Sequence, residues 1–259
     1  MAAVKFGRRQ DIDQEDKNYE TFVRSFAGPN CTQKQRIART LNFAAIEYSL
    51  VGGDLLETQR FADFFRASDL RDILEAIRHL FRTVCVPWYN LPREPATQNI
   101  LQRYREAIKL EARRDHLQMC FKGLAQQGEA MGFKATPVKS NKSNVQLEWS
   151  GGPKLDLKAL EKWLYDTPKA LKDSAVLELL QDSPTHGDLN ADNILVDSGR
   201  RTWLIDFGRT GYGYRLRDFA ELESCIALDL PGEAGVAALV EFEKVVFGQE
   251  RWEDGVVLP

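Results

Sequence analysis

Asp188, Asn193 and Asp206 lie close together in residues 185–208, which read THGDLNADNILVDSGRRTWLIDFG. Asp188 closes His186-Gly187-Asp188, Asn193 follows five positions later, and Asp206 opens Asp206-Phe207-Gly208. These residue types suit the transfer of a phosphoryl group. Such a reaction needs positioning and charge neutralisation more than covalent help. One carboxylate orients or accepts the acceptor's proton, while an Asp and an Asn offer hard oxygens to magnesium. Asp188 is therefore the catalytic candidate, and Asn193 and Asp206 are the candidate Mg2+ ligands.

A hairpin must bring the last two together. Ile194-Leu195-Val196 is an apolar run, Asp197-Ser198-Gly199 carries turn chemistry, and Thr202-Trp203-Leu204-Ile205 reads as a second strand. The two ends of a hairpin meet, so Asn193 and Asp206 would flank one edge, with Asp188 in the loop before it. The pattern H-x-D-x-x-x-x-N followed by D-F-G fixes both residue types and local fold. The plain alternative is a tight turn and hairpin whose Asp and Asn side chains only cap turns.

HGDLNADNILVD and IDFG resemble the catalytic core of the kinase-like phosphotransferases that include aminoglycoside and choline kinases. Gly187 is the small-molecule-kinase form, where protein kinases usually carry Arg. More narrowly, VKFG…E…NY…FV…EYSL…FADFFR…HGDLNADNIL is similar to the bacterial kinase-like ternary-complex-associated domains, which occur as parts of larger multidomain proteins. The resemblance implies an α+β, protein-kinase-like two-lobed fold, with a reduced N-terminal lobe and a mainly helical C-terminal lobe. It also implies ATP and Mg2+ as cofactors.

Such a site needs a cation for the phosphates. Lys5 lies in the short strand Ala3-Val4-Lys5-Phe6, matching the A-I-K pattern whose lysine contacts the α- and β-phosphates. Residues 11–26 follow with Ile12, Tyr19, Phe22, Val23 and Phe26 at helical spacing. At 100° per residue Glu15 falls within that stripe and Glu20 outside it. A carboxylate on a buried helix face needs a partner, and Lys5 is the candidate. The alternative is a solvated Glu15 at a frayed edge.

The rest of the chain reads in order. Residues 32–38 are polar and read as a loop or short helix, and 39–50 as two strands or one bent strand. In a kinase-like fold the backbone near Tyr48 to Leu50 would bond adenine. Residues 59–84 form a strong amphipathic helical region, with Ser68-Asp69 capping a second helix. Residues 98–127 read as a charge-rich, solvated helix, and 145–149 as a strand. Helices are expected over 157–164, 168–180 and 231–247, and another beginning at Asp218, which by family resemblance braces the catalytic loop. The domain reading is a small lobe over 1–52 and a large lobe over 53–259, with an insertion at about 92–156 that would shape the acceptor pocket.

With 259 residues and 43% hydrophobic content, the chain can bury a good core. A net charge of −3 supplies no pull towards nucleic acid, and no apolar run approaches the ~20 residues of a membrane span. Cys31, Cys85, Cys120 and Cys225 lack CxxC spacing, which suits reduced, mostly buried thiols in a cytoplasmic protein. Kinase-like folds cover the phosphates with a glycine-rich hairpin before the lysine strand, and only residues 1–4 precede Lys5 here. The expected function is an ATP- and magnesium-dependent phosphotransferase acting on a small-molecule hydroxyl. The alternative is a weakly active or inactive kinase-like module that senses nucleotide or docks other domains of a larger protein.

Overall fold

A computed structural model describes residues 2–25, 30–49, 58–91, 94–95, 181–214 and 216–230, with short stretches between 115 and 162. The chain divides into two compact units, Met1–Glu94 with Gln181–Pro259, and Pro95–Leu180. Helix and strand are mixed throughout.

The first unit opens with β1 (Ala2–Arg8), α1 (Arg9–Asn18), β2 (Gln33–Arg39) and β3 (Phe43–Ser49). The three strands form an antiparallel sheet in the order β1-β3-β2, with Lys5 opposite Ile46. Period-2 alternation in β3 buries Ala44, Ile46 and Tyr48, the face on which α1 packs. In β1 the alternation runs the other way: Val4 and Phe6 are exposed, and Phe6 stacks on Phe43 with ring centroids 5.4 Å apart. Lys5 thereby lies on the other side of β1 from these two, on the face that carries Ile46 and α1. The helix buries Ile12, Glu15 and Asn18, then widens into a π-helical turn, Tyr19–Val23.

One expectation changes here. Residues 33–39 form a strand, where the sequence reads as loop or short helix. The strand lacks an apolar alternation because its side chains are mostly exposed. It is tied instead by the β3 ladder and by charge pairs to α1 and the π-helical turn after it: Lys34 with Asp16 and Glu20, and Arg39 with Asp13 and Asp16 at 2.7 Å each. Tyr48 and Ser49 lie in the central strand, paired with Ala3 and Ala2 on one side and Lys34 and Gln33 on the other. Leu50, where the adenine-binding reading ends, lies outside the described residues.

Next come β4 (Thr58–Arg60), α2 (Phe61–Ala67), α3 (Leu70–His79) and α4 (Val86–Tyr89). Asp69 caps α3, accepting from Asp72 N at 2.9 Å. A second π-helical turn, Leu80–Val84, leads into α4, and the two-residue strand β5 (Glu94–Pro95) follows. After residue 180 come β9 (Gln181–Thr185), β10 (Ile194–Asp197), β11 (Thr202–Leu204), β12 (Gly211–Tyr214) and helix α5 (Leu216–Leu228). β10 pairs with both β11 and β4, and β9 pairs with β12. The core holds Phe61, Leu80, Trp88, Ile194, Leu204, Phe207 and Leu222, all essentially inaccessible.

In the second unit, β6 (Phe133–Pro137), β7 (Val145–Trp149) and β8 (Lys154–Asp156) form an antiparallel meander. The strand expected at 145–149 is thus present. Most of the helices expected over 98–127, 157–164, 168–180 and 231–247 lies outside the described residues. Cys31 and Cys85 are buried, Cys225 is partly exposed and Cys120 is exposed. Among the described residues no helix is long and apolar enough to cross a membrane.

Candidate active site

The hairpin β10–β11 does for Asn193 and Asp206 what its sequence suggests. Ile205 N donates to Asn193 O at 3.1 Å, which sets the two flanking residues side by side. Upstream, Asn190 Oδ1 accepts from the N–H groups of Asp192 (3.0 Å) and Asn193 (3.2 Å), an Asx turn that fixes the loop. Asn193 Nδ2 then donates to Asp188 O at 2.8 Å and to Asp188 Oδ2 at 3.3 Å. With its N–H groups so used, Asn193 has its amide oxygen left as an acceptor. Asp188 Oδ1 accepts from the Arg209 guanidinium at 3.0 Å.

Asp206 occupies the left-handed region at φ 65°, a costly backbone for a residue with a Cβ and one that concentrates at functional sites. Two neighbours hold it. Gly208 N donates to Asp206 Oδ1 at 3.3 Å, and His186 Nε2 lies 2.9 Å from Ile205 O, so that nitrogen carries the proton. His186 is fully buried, and its Nδ1 has no partner among the described residues.

Lys5 reaches across from the first sheet. Its Nζ lies 2.5 Å from Glu15 Oε2 and 2.6 Å from Asp206 Oδ1. Glu15 is 1% exposed, and its other oxygen accepts from the Tyr48 hydroxyl at 2.8 Å. Burial pushes the Lys5 ammonium down, but bonds to Asp206 and Glu15 outweigh it and hold the group above its ordinary range. Burial pushes Asp206 up, and the Lys5 bond and charge outweigh it, holding the carboxyl below its ordinary range. Burial, and then the Glu15 charge, push the Tyr48 phenol up.

Helix α5 holds the loop that carries Asp188. Asp218 is fully buried and accepts from His186 N (2.9 Å), Gly187 N (2.9 Å) and the Tyr89 hydroxyl (3.0 Å). One turn on, Glu221 accepts from Leu189 N at 3.0 Å, while Arg217 donates to Gly187 O. Gly187 sits at φ 76°, where an added Cβ would collide with the Arg209 carbonyl. Glycine at this position is therefore required by the loop's own geometry.

All five residues singled out from the sequence meet in this region: Lys5, Glu15, Asp188, Asn193 and Asp206. Sequence reasoning did not single out Asn18, Arg209, Arg217 or Glu221. Asn18 and Glu221 were findable, since each lies three residues beyond a chosen acid on the same helix face (Glu15 and Asp218). Arg209 carries no such signal. Among the described residues no group of three His, Cys, Asp or Glu side chains could hold a metal alone. The Asn193 amide oxygen and the Asp206 carboxylate still fit magnesium, which is typically held by one or two protein oxygens plus substrate phosphates. Asp206 already faces a cation, the Lys5 ammonium.

Residues 151–254 match the family model of ternary complex associated domain 9. This bears out the family resemblance read from the motifs, and the match spans Asp188, Asn193 and Asp206 but neither Lys5 nor Glu15. The chain is similar in structure to an aminoglycoside-3'-phosphotransferase of type VIII, at 17% identity and a TM-score of 0.47, over 99% of this chain and 80% of that one. It is also similar to a glucosamine kinase, at 14% identity and a TM-score of 0.44, over 93% of this chain and 58% of that one. A third similarity is to an ADP-bound aminoglycoside phosphotransferase, at 14% identity and a TM-score of 0.43, over 84% of this chain and 62% of that one. No curated protein matches the chain in sequence.

Proposed function

We propose that the chain is an ATP- and magnesium-dependent phosphotransferase of two-lobed kinase-like fold, with a small lobe over 1–52 and a large lobe over 53–259. It transfers the γ-phosphoryl group to a small-molecule hydroxyl, in a cytoplasmic setting and as one part of a larger bacterial protein. The observation that carries this reading is the convergence of Lys5, Glu15 and Asp206 through contacts of 2.5 and 2.6 Å, beside an Asn193 tethered to Asp188.

Each residue has a task. Lys5, steadied by Glu15, which Tyr48 in turn holds, offers its ammonium to the α- and β-phosphates. Asn193 and Asp206 hold magnesium, which neutralises phosphate charge when bound. Asp188 receives the acceptor hydroxyl. Its ion pair with Arg209 suits an orienting role more than strong proton abstraction, as a loose phosphoryl transition state requires little of a base. The buried carboxylate of Asp218 keeps the loop backbone in place beneath Asp188.

The test is a thermal-shift titration with ATP and magnesium, followed by ADP release with candidate hydroxyl acceptors. Wild type is expected to shift and to turn over. Asp188→Ala should keep the shift and lose turnover by about 10²–10⁴-fold. Equal turnover in the two proteins would overturn the role of Asp188. A shift without turnover in wild type would leave a nucleotide-sensing module instead.

A further inference from the structure

Asn18 lies on α1 one turn beyond Glu15 and is 7% exposed. Its side-chain amide donates to two backbone carbonyls of the Asp206-Phe207-Gly208 turn, Phe207 O at 3.1 Å and Gly208 O at 2.9 Å. Its oxygen accepts from Gln14 Nε2 at 2.8 Å, which fixes the direction in which the amide faces. Next along the chain, the Tyr19 ring meets Phe207 edge-on, with centroids 5.6 Å apart. α1 widens into its π-helical turn directly after Asn18, a feature frequent at functional positions.

We infer that Asn18 is a positioning residue that locks the Asp206-Phe207-Gly208 turn to the helix carrying Glu15. The chemistry selects asparagine. Two neighbouring carbonyls require two N–H donors, which one amide nitrogen supplies. Aspartate would set a carboxylate against both carbonyl oxygens, and leucine fills the same space without a donor. Glu15 reaches Asp206 through Lys5, and Asn18 reaches the same turn through its backbone. The helix and the turn therefore move as one body, and Asp206 is held in its left-handed conformation before any ligand arrives. That it is held there for magnesium rests on the phosphotransferase reading; the lock itself does not.

Amide hydrogen exchange of the nucleotide-free full chain tests the lock. Asn18→Leu is expected to speed exchange at Gly208 and Thr210 by about tenfold, the loss of one to two net hydrogen bonds. Amides within β10 and β11 should stay within about twofold of wild type. Unchanged exchange at Gly208 and Thr210 would overturn the inference. Should Asn18→Leu fail to fold, Gln14→Ala alters an exposed side chain and frees the amide to turn. Faster exchange at the same two amides would support the lock, and unchanged exchange would overturn it. ADP affinity, measured by calorimetry with and without magnesium, tests the purpose. In Asn18→Leu the gain from magnesium should be about tenfold smaller, with metal-free affinity within about twofold of wild type. An undiminished gain would overturn the metal-positioning role. If wild type binds no ADP, the phosphotransferase reading fails and the metal role with it, while the exchange result still decides the lock.

Discussion

Lys5 Nζ lies 2.6 Å from Asp206 Oδ1, joining the first strand to a turn 201 residues further along the chain. The contact links stability to pH in two directions. The Asp206 carboxyl is held below its ordinary value of 3.8, because the Lys5 bond and charge outweigh burial. Its contribution is therefore full above that value and is lost as pH falls through the lower folded value. The Lys5 ammonium is held above its ordinary value of 10.5, so its contribution is full below that value and is lost as pH rises through the higher folded one. Urea unfolding of wild type and Asp206→Asn should show a stability gap that is widest near neutrality. The gap should shrink as pH falls below 3.8 and narrow again as pH rises above 10.5. Asparagine tolerates the left-handed backbone, which isolates the charge. A gap independent of pH would contradict the assignment.

Glu15 is 1% exposed, whereas the Lys5 side chain is 38% exposed. Removing Lys5 leaves a buried carboxylate with the Tyr48 hydroxyl as its remaining hydrogen-bond partner among the described residues, at a cost of roughly 1–3 kcal/mol, discounted from a fully buried pair because Lys5 reaches solvent. Lys5→Met should be destabilised by about that amount. Adding Glu15→Gln should recover part of the loss, a coupling of roughly 0.5–3 kcal/mol in a double-mutant cycle of urea unfolding. Additive single effects would mean that the pair is not coupled.

Gly187→Ala tests the catalytic loop's backbone. The φ of 76° and the Arg209 carbonyl both oppose a Cβ, so the variant should lose roughly 1–3 kcal/mol of stability. Thermal melting measures this, and ADP release should fall further than stability does, because Asp188 is the next residue. A neutral substitution would show that the loop relaxes without cost.

Asp218→Ala strands the N–H groups of His186 and Gly187 and the Tyr89 hydroxyl in the interior. Each unsatisfied buried group costs roughly 1–3 kcal/mol. The variant should therefore lose at least about 3 kcal/mol in denaturant unfolding, and Asp218→Asn less, since it keeps one acceptor oxygen. A loss below about 1 kcal/mol would mean that water replaces the carboxylate.

The sequence made some features legible for physical reasons. The hairpin between Asn193 and Asp206 was readable because turn chemistry and β-prone runs are local. Glu15 was selected over Glu20 because helical phase is an angle that sequence alone supplies. The cap at Asp69 was likewise local. The strand over 33–39 was not readable. It is held by a neighbouring strand and by charges on α1, and its own residues show no apolar period. For Tyr48, order along the chain suggests only a backbone near adenine. Its true neighbours on both sides of β3, and the Glu15 carboxylate beneath it, are contacts between distant segments.

By itself the sequence determined which side chains could carry phosphoryl transfer, since residue type and short-range spacing fix donor chemistry and the hairpin that brings Asn193 and Asp206 together. Tertiary structure alone decided how those residues are held. Lys5 meets Asp206, Asn18 meets Phe207 and Gly208, and Asp218 meets the loop backbone, each across at least 31 residues of chain. Such bonds depend on where packed elements leave a donor opposite an acceptor. That is a property of the assembled core, and no local spacing encodes it.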